Sequence, residues 1–301
     1  MRRLLALLPI VALALVVRPA SGEEPTTYTL PKREAWKAGD VVSRTESKHQ
    51  VQKTIIKGPD GTVNEQASKA QDELVELTVV MKVAEVNGEG EFTKALLYFS
   101  KWSRKEADAE DTSLAGKHVE ITGAGKAREA KILGGGEVSE KAAKWLKAEF
   151  AKGDKEAGGE AFAPDRPLAV GETWTPDAAA IEKMFGGDGQ MKFVHEQSTV
   201  TGTLVAVEGD LATLHIDIDL QAGPMEGPMG PMEWQEGGKF SMKVDGKKAL
   251  TATNHNETGR MTGTFKGTMA PGPVTVEIDL TIDNSMETTS GGEMPPLPGT
   301  K

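Results

Sequence analysis

The sequence contains no cysteine and few aromatic residues, and these absences limit the kinds of protein that it can encode. Without cysteine there are no disulfides, no thiolate metal ligands, no cysteine nucleophile and no lipid anchor through a cysteine. Stability must come from burial of apolar side chains, and 301 residues are enough for a substantial core. The 34 glycines and 16 prolines, with many threonines and valines, favour strands and turns over helices.

Basic residues are also scarce. Lysines and arginines number 35 against 45 aspartates and glutamates, which gives a formal net charge of −10. Three arginines lie within residues 1–22, so the chain without that segment has 32 basic residues and a net charge of −13. Nucleic acids and anionic membranes bind through basic patches, so this balance argues against both as partners.

The N-terminus has the pattern of an export signal. Arg2 and Arg3 form a positive start, residues 4–17 are predominantly apolar, and Gly22 offers a small residue for cleavage. The apolar run is shorter than the roughly 20 residues that a transmembrane helix needs. We therefore predict a signal peptide over residues 1–22 and an extracytoplasmic protein, periplasmic or secreted, with no stable membrane insertion after cleavage near Gly22.

A motif in the middle of the chain, at residues 166–174, has a shorter relative at residues 36–42. Both contain a glycine followed by a carboxylate, which is typical of a turn, and both precede a series of strand-like segments. We interpret each motif as the start of one half of the molecule. Trp174 is predicted to be a buried structural clasp where the second half begins, with Trp36 in the matching role.

This repeat sets the predicted organisation of the chain. A first β-rich half covers residues 23–133, a helical connector covers 134–190, a second β-rich half covers 191–290, and residues 291–301 form a disordered tail. The predicted fold is mainly β, a β-rich α+β class. Two related halves of antiparallel strands form curved sheets, a half-barrel or a sandwich, with one amphipathic helix and one short helix between them.

The strand predictions rest on apolar and polar residues that alternate with a period of two, and on turn signals between them. Residues 77–83 alternate between apolar and polar types, and Asn87-Gly88 after them is a strong hairpin signal. Residues 102–112 are highly charged and are predicted to be a loop.

The helices are predicted where the spacing of apolar residues changes from every second residue to every third or fourth. Apolar residues recur at helical spacing over about 139–152, with Ser139 as a possible N-cap. Thr175 followed by Pro176 predicts a short helix over residues 176–185.

Three short stretches in order, residues 116–121, 136–139 and 167–174, resemble uncharacterised secreted proteins of the planctomycete type. In those proteins a proline, an apolar pair and a Val-Gly-acid-Thr-Trp motif recur. The resemblance covers roughly residues 30–290 in order and spacing. It implies an exported, β-rich, non-enzymatic protein, and it brings no catalytic residues.

His215, Asp217 and Asp219 alternate along one predicted strand, so their side chains should project from one face. An imidazole and two carboxylates there are candidate ligands for a divalent metal, or candidate acid–base groups. The alternative is that they form the solvated face of an amphipathic strand whose core side consists of Leu214, Ile216, Ile218 and Leu220.

Three Gly-Pro-Met copies between residues 223 and 232 place Met225, Met229 and Met232 close together in the sequence. Thioether ligands suit Cu(I), so these methionines are candidate copper ligands. The alternative is a flexible loop in which methionine makes adaptable apolar contacts.

No enzyme motif stands out. There is no Gly-x-Ser-x-Gly elbow, no phosphate-binding loop and no pair of histidines at metal-ligand spacing, so the chain is predicted to be non-enzymatic and without a cofactor. A hydrolase is a third alternative. It would require one of the five histidines to lie beside a carboxylate and a serine in one cleft.

The sequence therefore leaves two functions open. The first is a binding or scaffolding module, in which curved sheets hold a lipid or another apolar or amphipathic small molecule, or a partner protein. The second is an extracytoplasmic copper-handling protein that uses the Gly-Pro-Met loop.

Overall fold

The computed structural model describes most of the chain from residue 25 to residue 297. The described ranges are 25–31, 35–107, 109–151, 162–176, 181, 193–227, 230–251, 255–269 and 275–297. The predicted signal peptide, Met229 and most of the predicted short helix over 176–185 lie outside these ranges. The described part is mainly β with one long helix, which confirms the predicted fold class.

The first half is built from seven strands and the helix. They are β1 (Thr27–Tyr28), β2 (Val41–Lys57), β3 (Lys69–Val86), β4 (Phe92–Glu106), β5 (Ala109–Asp111), β6 (His118–Thr122), β7 (Glu129–Leu133) and α1 (Glu140–Ala151). A short 3-10 turn, Gly125–Ala127, joins β6 to β7. The Asn87-Gly88 signal falls between β3 and β4, as the sequence predicts.

The second half contains the remaining nine strands. They are β8 (Leu168–Ala169), β9 (Thr173–Trp174), β10 (Thr199–Glu208), β11 (Leu211–Gln221), β12 (Met225–Gly227), β13 (Gly230–Met232), β14 (Trp234–Ala249), β15 (Glu257–Met269) and β16 (Thr275–Ser290). A 3-10 turn, His195–Gln197, precedes β10.

One antiparallel sheet of 12 strands runs through both halves in the order β7-β6-β4-β3-β2-β16-β15-β14-β11-β10-β9, with β5 on β4. The first long strand, β2, pairs with the last, β16, from Lys57 with Thr275 to Val42 with Ser290. We call this β2–β16 pairing the seam. It lies at the centre of the sheet and joins the two halves directly.

The two faces of the sheet differ. The cross-strand register shows which residues share a face, and it places three clusters of buried apolar side chains on the same one, here called the core face. The other, here called the polar face, carries rows of charged and hydroxyl side chains. This separation is expected of an antiparallel sheet with one face packed and one face in water.

Helix α1 covers the cluster of the first half. Its N-terminus is capped as predicted, because the N–H of Ala142 donates to Oγ of Ser139 at 2.9 Å. Ala142 and Leu146 are buried against the sheet, beside Phe99 and Trp102. The C-terminal part of α1 reaches the seam, where Glu149 accepts from the guanidinium of Arg44 at 2.8 Å.

The predicted charged loop over residues 102–112 is wrong. Strand β4 continues to Glu106, and Trp102 is 1% exposed in the core. The charges that follow it are paired across strands instead of being free in a loop: Nε of Arg104 lies 3.0 Å from Oε1 of Glu73 on β3. Cross-strand ion pairs of this kind are compatible with a long strand.

The turn before β2 has a specific hydrogen-bond pattern. Gly39 adopts φ +97°, which favours glycine, and its N–H donates to the carbonyl of Val83 at 2.9 Å. The N–H of Val83 returns a bond to the carbonyl of Asp40 at 2.9 Å. The Asp40 carboxylate also accepts from the N–H of Lys37 at 2.8 Å, which closes the turn.

The turn before β9 repeats each of these bonds. Gly171 adopts φ +84° and donates to the carbonyl of Leu204 at 2.7 Å. The N–H of Leu204 donates to the carbonyl of Glu172 at 3.1 Å. The Glu172 carboxylate accepts from the N–H of Ala169 at 2.9 Å. The glycine-carboxylate pairs of the two motifs therefore make the same local structure.

The two tryptophans, however, do not occupy matching positions in these turns. Trp174 follows its turn glycine by three residues, where the first half has Val42, and Trp36 precedes its glycine by three, where the second half has Leu168. Trp36 instead stacks on His255, with ring centroids 4.0 Å apart. The expectation that Trp36 acts as the counterpart of Trp174 is therefore wrong, although the turns themselves correspond.

Candidate functional site

The seam carries an incompletely covered apolar strip on its core face. Ile278, Leu280 and Ile282 of β16 project to this face and pack, partly buried, against the second-half cluster. All three are half-buried, whereas Ile218 and Phe265 deeper in that cluster are 1% and 2% exposed. Here the sheet therefore presents apolar surface that its own side chains only partly cover.

Polar side chains of β2 lie directly beside this strip. Gln52 is opposite Leu280, Gln50 is opposite Ile282, and Lys48 is opposite Asn284 in the seam register. Residues directly opposite in an antiparallel pair share a face, so an apolar row and a polar row run in parallel. The core face of the seam is therefore amphipathic across its width.

Two polar groups that face each other across the seam, one on each strand, lack a partner within the described part of the chain. Oδ1 of Asn284 is buried there without a hydrogen-bond partner. Lys48, directly opposite, makes no ion pair with any carboxylate of the described residues. A buried acceptor without a donor is costly, and such groups often mark a place that a ligand or water completes.

A rigid polar contact bounds the seam on the side of the first half. Arg44 of β2 is held between Glu149 of α1 and Glu46 of its own strand. Burial of the guanidinium works to lower its pKa, but the two carboxylates outweigh this and raise the pKa of Arg44 above its ordinary value. The helix end is therefore fixed to the strand that carries Lys48.

The predicted His215 group is on the polar face of β11, in the second half. Nε2 of His215 lies 3.0 Å from Oδ2 of Asp217, and Nδ1 lies 2.5 Å from Oδ1 of Asp245 on β14. Since carboxylates only accept hydrogen bonds, this geometry fits a protonated imidazolium. The structure thus brings together two of the three predicted residues and adds Asp245, which the sequence pattern on one strand could not reveal.

Asp219, the third predicted residue, has different partners. Its Oδ1 accepts from Oγ of Ser241 at 2.5 Å and its Oδ2 lies 3.1 Å from Nζ of Lys239. Burial works to raise the pKa of Asp219, but these contacts outweigh it and lower the pKa. On the opposite side of the strand, Ile216 and Ile218 are buried, as the solvated-face alternative expects.

The ion pairs of His215 should make stability depend on pH. The hydrogen bond with Asp245 is the main cause of a raised pKa at His215, partial desolvation opposes it, and Asp217 adds to the rise. A raised folded-state pKa means that the contribution is present below the unfolded pKa of about 6.5 and is lost as pH rises through the folded value. The free energy of unfolding of wild type should exceed that of His215→Gln most at acidic pH.

Urea unfolding of both proteins between about pH 5 and about pH 9 measures this difference. The difference should shrink steadily with rising pH. A difference that stays constant across this range would contradict a protonated His215 in the folded state.

The Gly-Pro-Met segment forms a small hairpin. Strands β12 and β13 pair antiparallel, with Met225 directly opposite Met232 and Gly227 opposite Gly230. This register brings two of the three predicted methionines to the same cross-strand position. Met229 lies outside the described residues.

Among the other histidines whose side chains the structure describes, His255 comes nearest to the arrangement that a hydrolase would need. Its Nε2 lies 3.4 Å from Oδ2 of Asp40, and its backbone N–H donates to Oγ of Ser290 at 3.3 Å. The ring is stacked on Trp36 and is 2% exposed, so it does not face a cleft. Within the described ranges, no three His, Asp or Glu side chains are arranged to hold a metal ion.

Comparisons with known proteins add little. No family model matches the sequence, and no curated protein matches it. A crystal structure of an outer membrane channel from Pseudomonas putida F1 aligns over 85% of this chain and 97% of that chain, with 7% identity and a TM-score of 0.20. A similarity this low carries no argument about function. The resemblance to planctomycete-type secreted proteins stays a prediction.

In the part of the chain that the structure describes, no helix is long and apolar enough to cross a membrane.

Proposed function

We propose that this protein is an exported, non-enzymatic binding module that holds an amphipathic small molecule on the core face of the seam. The observation that carries the proposal is the half-buried row of Ile278, Leu280 and Ile282 beside the polar row of β2. An acyl chain or similar apolar group lies along the β16 row. Its polar end lies toward Lys48 and Asn284.

The chemistry of the two rows supports this orientation. The apolar row provides contacts worth about 25 cal/mol per Å² of surface removed from water. The polar row offers the ammonium of Lys48 and two amides, and Asn284 of β16 beside it offers an unsatisfied Oδ1. A molecule with a carboxylate or phosphate that also bears hydroxyl or amide donors would pair with both Lys48 and Asn284. Few precisely placed polar groups beside an apolar surface are typical of small-molecule sites.

Leu280→Glu tests the proposal directly. A carboxylate in the middle of the apolar row removes acyl contacts and repels an anionic head group, so affinity should fall roughly tenfold or more. The probes are a dansyl-labelled fatty acid and a fluorescent phospholipid, titrated into protein purified without detergent.

Val51→Glu is the matched control. Val51 lies on the neighbouring strand of the seam, but on the polar face, where it is 39% exposed. The Val51→Glu variant should bind both probes as wild type does. If wild type binds neither probe and native mass spectrometry finds no copurified lipid, the proposal is wrong. Equal weakening by both substitutions would also contradict the assigned face.

A second candidate function is Cu(I) handling by the β12–β13 hairpin, and the Met225–Met232 register favours it. Cu(I) prefers soft ligands such as thioethers. Met225 and Met232 share one cross-strand register position, and Met229 is the candidate third ligand from the sequence.

Replacing Met225, Met229 and Met232 together by leucine keeps the apolar volume and removes the thioethers. Cu(I) affinity, measured by competition with a chromophoric chelator, should fall at least tenfold. The matched control is Met261→Leu on β15, which should leave the affinity unchanged. Equal affinities of the triple variant and wild type would exclude this function.

A further inference from the structure

The chain beyond β16 crosses the polar face of the first half. Gly291 donates its N–H to the carbonyl of Val41 at 2.6 Å, and the carbonyl of Pro295 accepts from Nε2 of His118 at 3.1 Å. We call residues 291–297 the tail. The sequence predicts disorder here. These seven residues have no regular secondary structure, but they are anchored at both ends by hydrogen bonds.

Below the tail, a row of four side chains crosses four neighbouring strands. Ser43 is opposite Val80, Val80 is opposite Tyr98, and Tyr98 is opposite His118. We call this row the tail patch. It differs from the rest of the polar face because apolar and aromatic side chains replace the charged rows.

The tail patch is closely covered. Val80 is 9% and His118 is 3% exposed, and the rings of Tyr98 and His118 have centroids 4.8 Å apart. A Cβ added to Gly292 would lie 3.3 Å from Cγ1 of Val80 and 3.5 Å from Cβ of Ser43. The backbone of the tail therefore lies directly on the patch.

The tail has the composition of a known class of peptide ligand. Residues 294–298 read Met-Pro-Pro-Leu-Pro, which favours an extended polyproline conformation with little backbone entropy. Proline-rich segments of this kind bind grooves lined by aromatic side chains that donate to their carbonyls. Tyr98 supplies the ring, and His118 supplies the donor to Pro295.

The tail provides a hydrogen-bond partner for only one of the two ring nitrogens of His118. Its Nδ1 is buried and has no hydrogen-bond partner within the described part of the chain. Because Nε2 donates to Pro295, Nδ1 is the acceptor of the neutral ring. Prolines have no N–H, so the Pro-Pro pair has no backbone donor to offer. A peptide with a backbone N–H at this position would satisfy both nitrogens.

From these contacts we propose that the tail patch is a binding site for an extended, proline-containing segment of a partner protein, and that the tail occupies it in the free protein. Gly291 and Gly292, with φ of +94° and +132°, form the hinge at which the tail turns onto the patch. This site is on the polar face of the sheet, opposite the ligand site proposed on the core face of the seam, and is independent of ligand binding there.

The test uses substitutions that should release the tail from the tail patch in the full-length protein. Gly292→Val places a branched side chain against Val80 at a φ that valine rarely adopts. Pro295→Asp is a second release variant, in which a charged side chain replaces the proline whose carbonyl accepts from His118. The probe is a fluorescein-labelled peptide with the sequence of residues 291–301, and binding is followed by fluorescence anisotropy. Both release variants should bind the peptide about tenfold more tightly than wild type.

Two further variants complete the experiment. Gly88→Val is the matched control, because a Cβ added at Gly88 meets no atom within 4 Å. This variant should bind the labelled peptide as weakly as wild type does. His118→Ala added to Gly292→Val should abolish the gained affinity. The proposal is overturned if neither release variant binds better than wild type, or if His118→Ala leaves the gain intact. A stable dimer in light scattering would also overturn it, because the tail of a second copy would then be the occupant.

Discussion

Trp174→Ala should lower the free energy of unfolding by about 3–5 kcal/mol. Trp174 is 8% exposed and belongs to a buried cluster with Leu168 and Leu204. Its Nε1 donates to the carbonyl of Phe162 at 2.9 Å, and its ring fills the space over Gly202, where an added Cβ would come within 2.7 Å of the indole Cδ2. Alanine would leave both a cavity and an unpaired carbonyl.

Urea unfolding followed by far-UV circular dichroism measures this loss without relying on the replaced indole. Val170→Ala in the same turn is the control, since Val170 is 50% exposed, and it should change stability by less than about 0.5 kcal/mol. A loss of under about 1 kcal/mol for Trp174→Ala would contradict its role as the clasp of the second half.

Gly267→Val should cost about 3 kcal/mol, near the upper end of the range for overpacked cores. Gly267 lies on the core face of β15 under the ring of Trp234, and an added Cβ would also come within 2.9 Å of the backbone nitrogen of Gly238. The ring cannot move aside freely, because its Nε1 donates to the carbonyl of Gly223 at 2.9 Å. Valine therefore forces either the ring or the neighbouring strand away.

Gly259→Val is the matched control, because Gly259 lies on the same strand and the same face with no atom near the added Cβ. It should be neutral or slightly stabilising, since valine favours strands. Trp234→Ala combined with Gly267→Val should recover part of the loss, and a double-mutant cycle gives the coupling energy. Additive effects of the two substitutions would show that the ring and the glycine do not depend on each other.

Local periodicity was sufficient to predict several elements. Apolar residues at helical spacing and Ser139 predicted α1 to within one residue at each end. Alternation predicted which side of β11 is buried, with Ile216 and Ile218 inside. In both cases the signal and its cause lie within a few residues of the chain, so no tertiary information was needed.

Predictions failed where a partner strand decides the outcome. The charges after Trp102 read as a loop in the sequence, but β3 supplies opposite charges such as Glu73. Likewise β14 is one strand of 16 residues although it contains glycines, which are unfavourable in strands. Cross-strand neighbours compensate for unfavourable local composition, and their identity is not visible in the sequence of one strand.

The candidate site was missed for the same reason. β2 alternates in sequence and β16 carries an apolar row, but nothing in the sequence of either strand shows that the two are neighbours. Lys48 and Asn284 are brought together only by the pairing of strands more than 200 residues apart. The glycine-carboxylate turns, by contrast, were recognised from the sequence, because each is a local structure.

The seam also has a consequence for how the chain reaches its folded state. The ion pair between Lys57 and Glu277 closes a segment of 220 residues. Contacts of such high contact order form slowly, and β16 is synthesised after the fifteen other described strands. Until it arrives, β2 and β15 each expose an unpaired edge of 17 and 13 residues. Long open edges pair with other chains, so newly made protein should need a chaperone until synthesis of its final strand is complete.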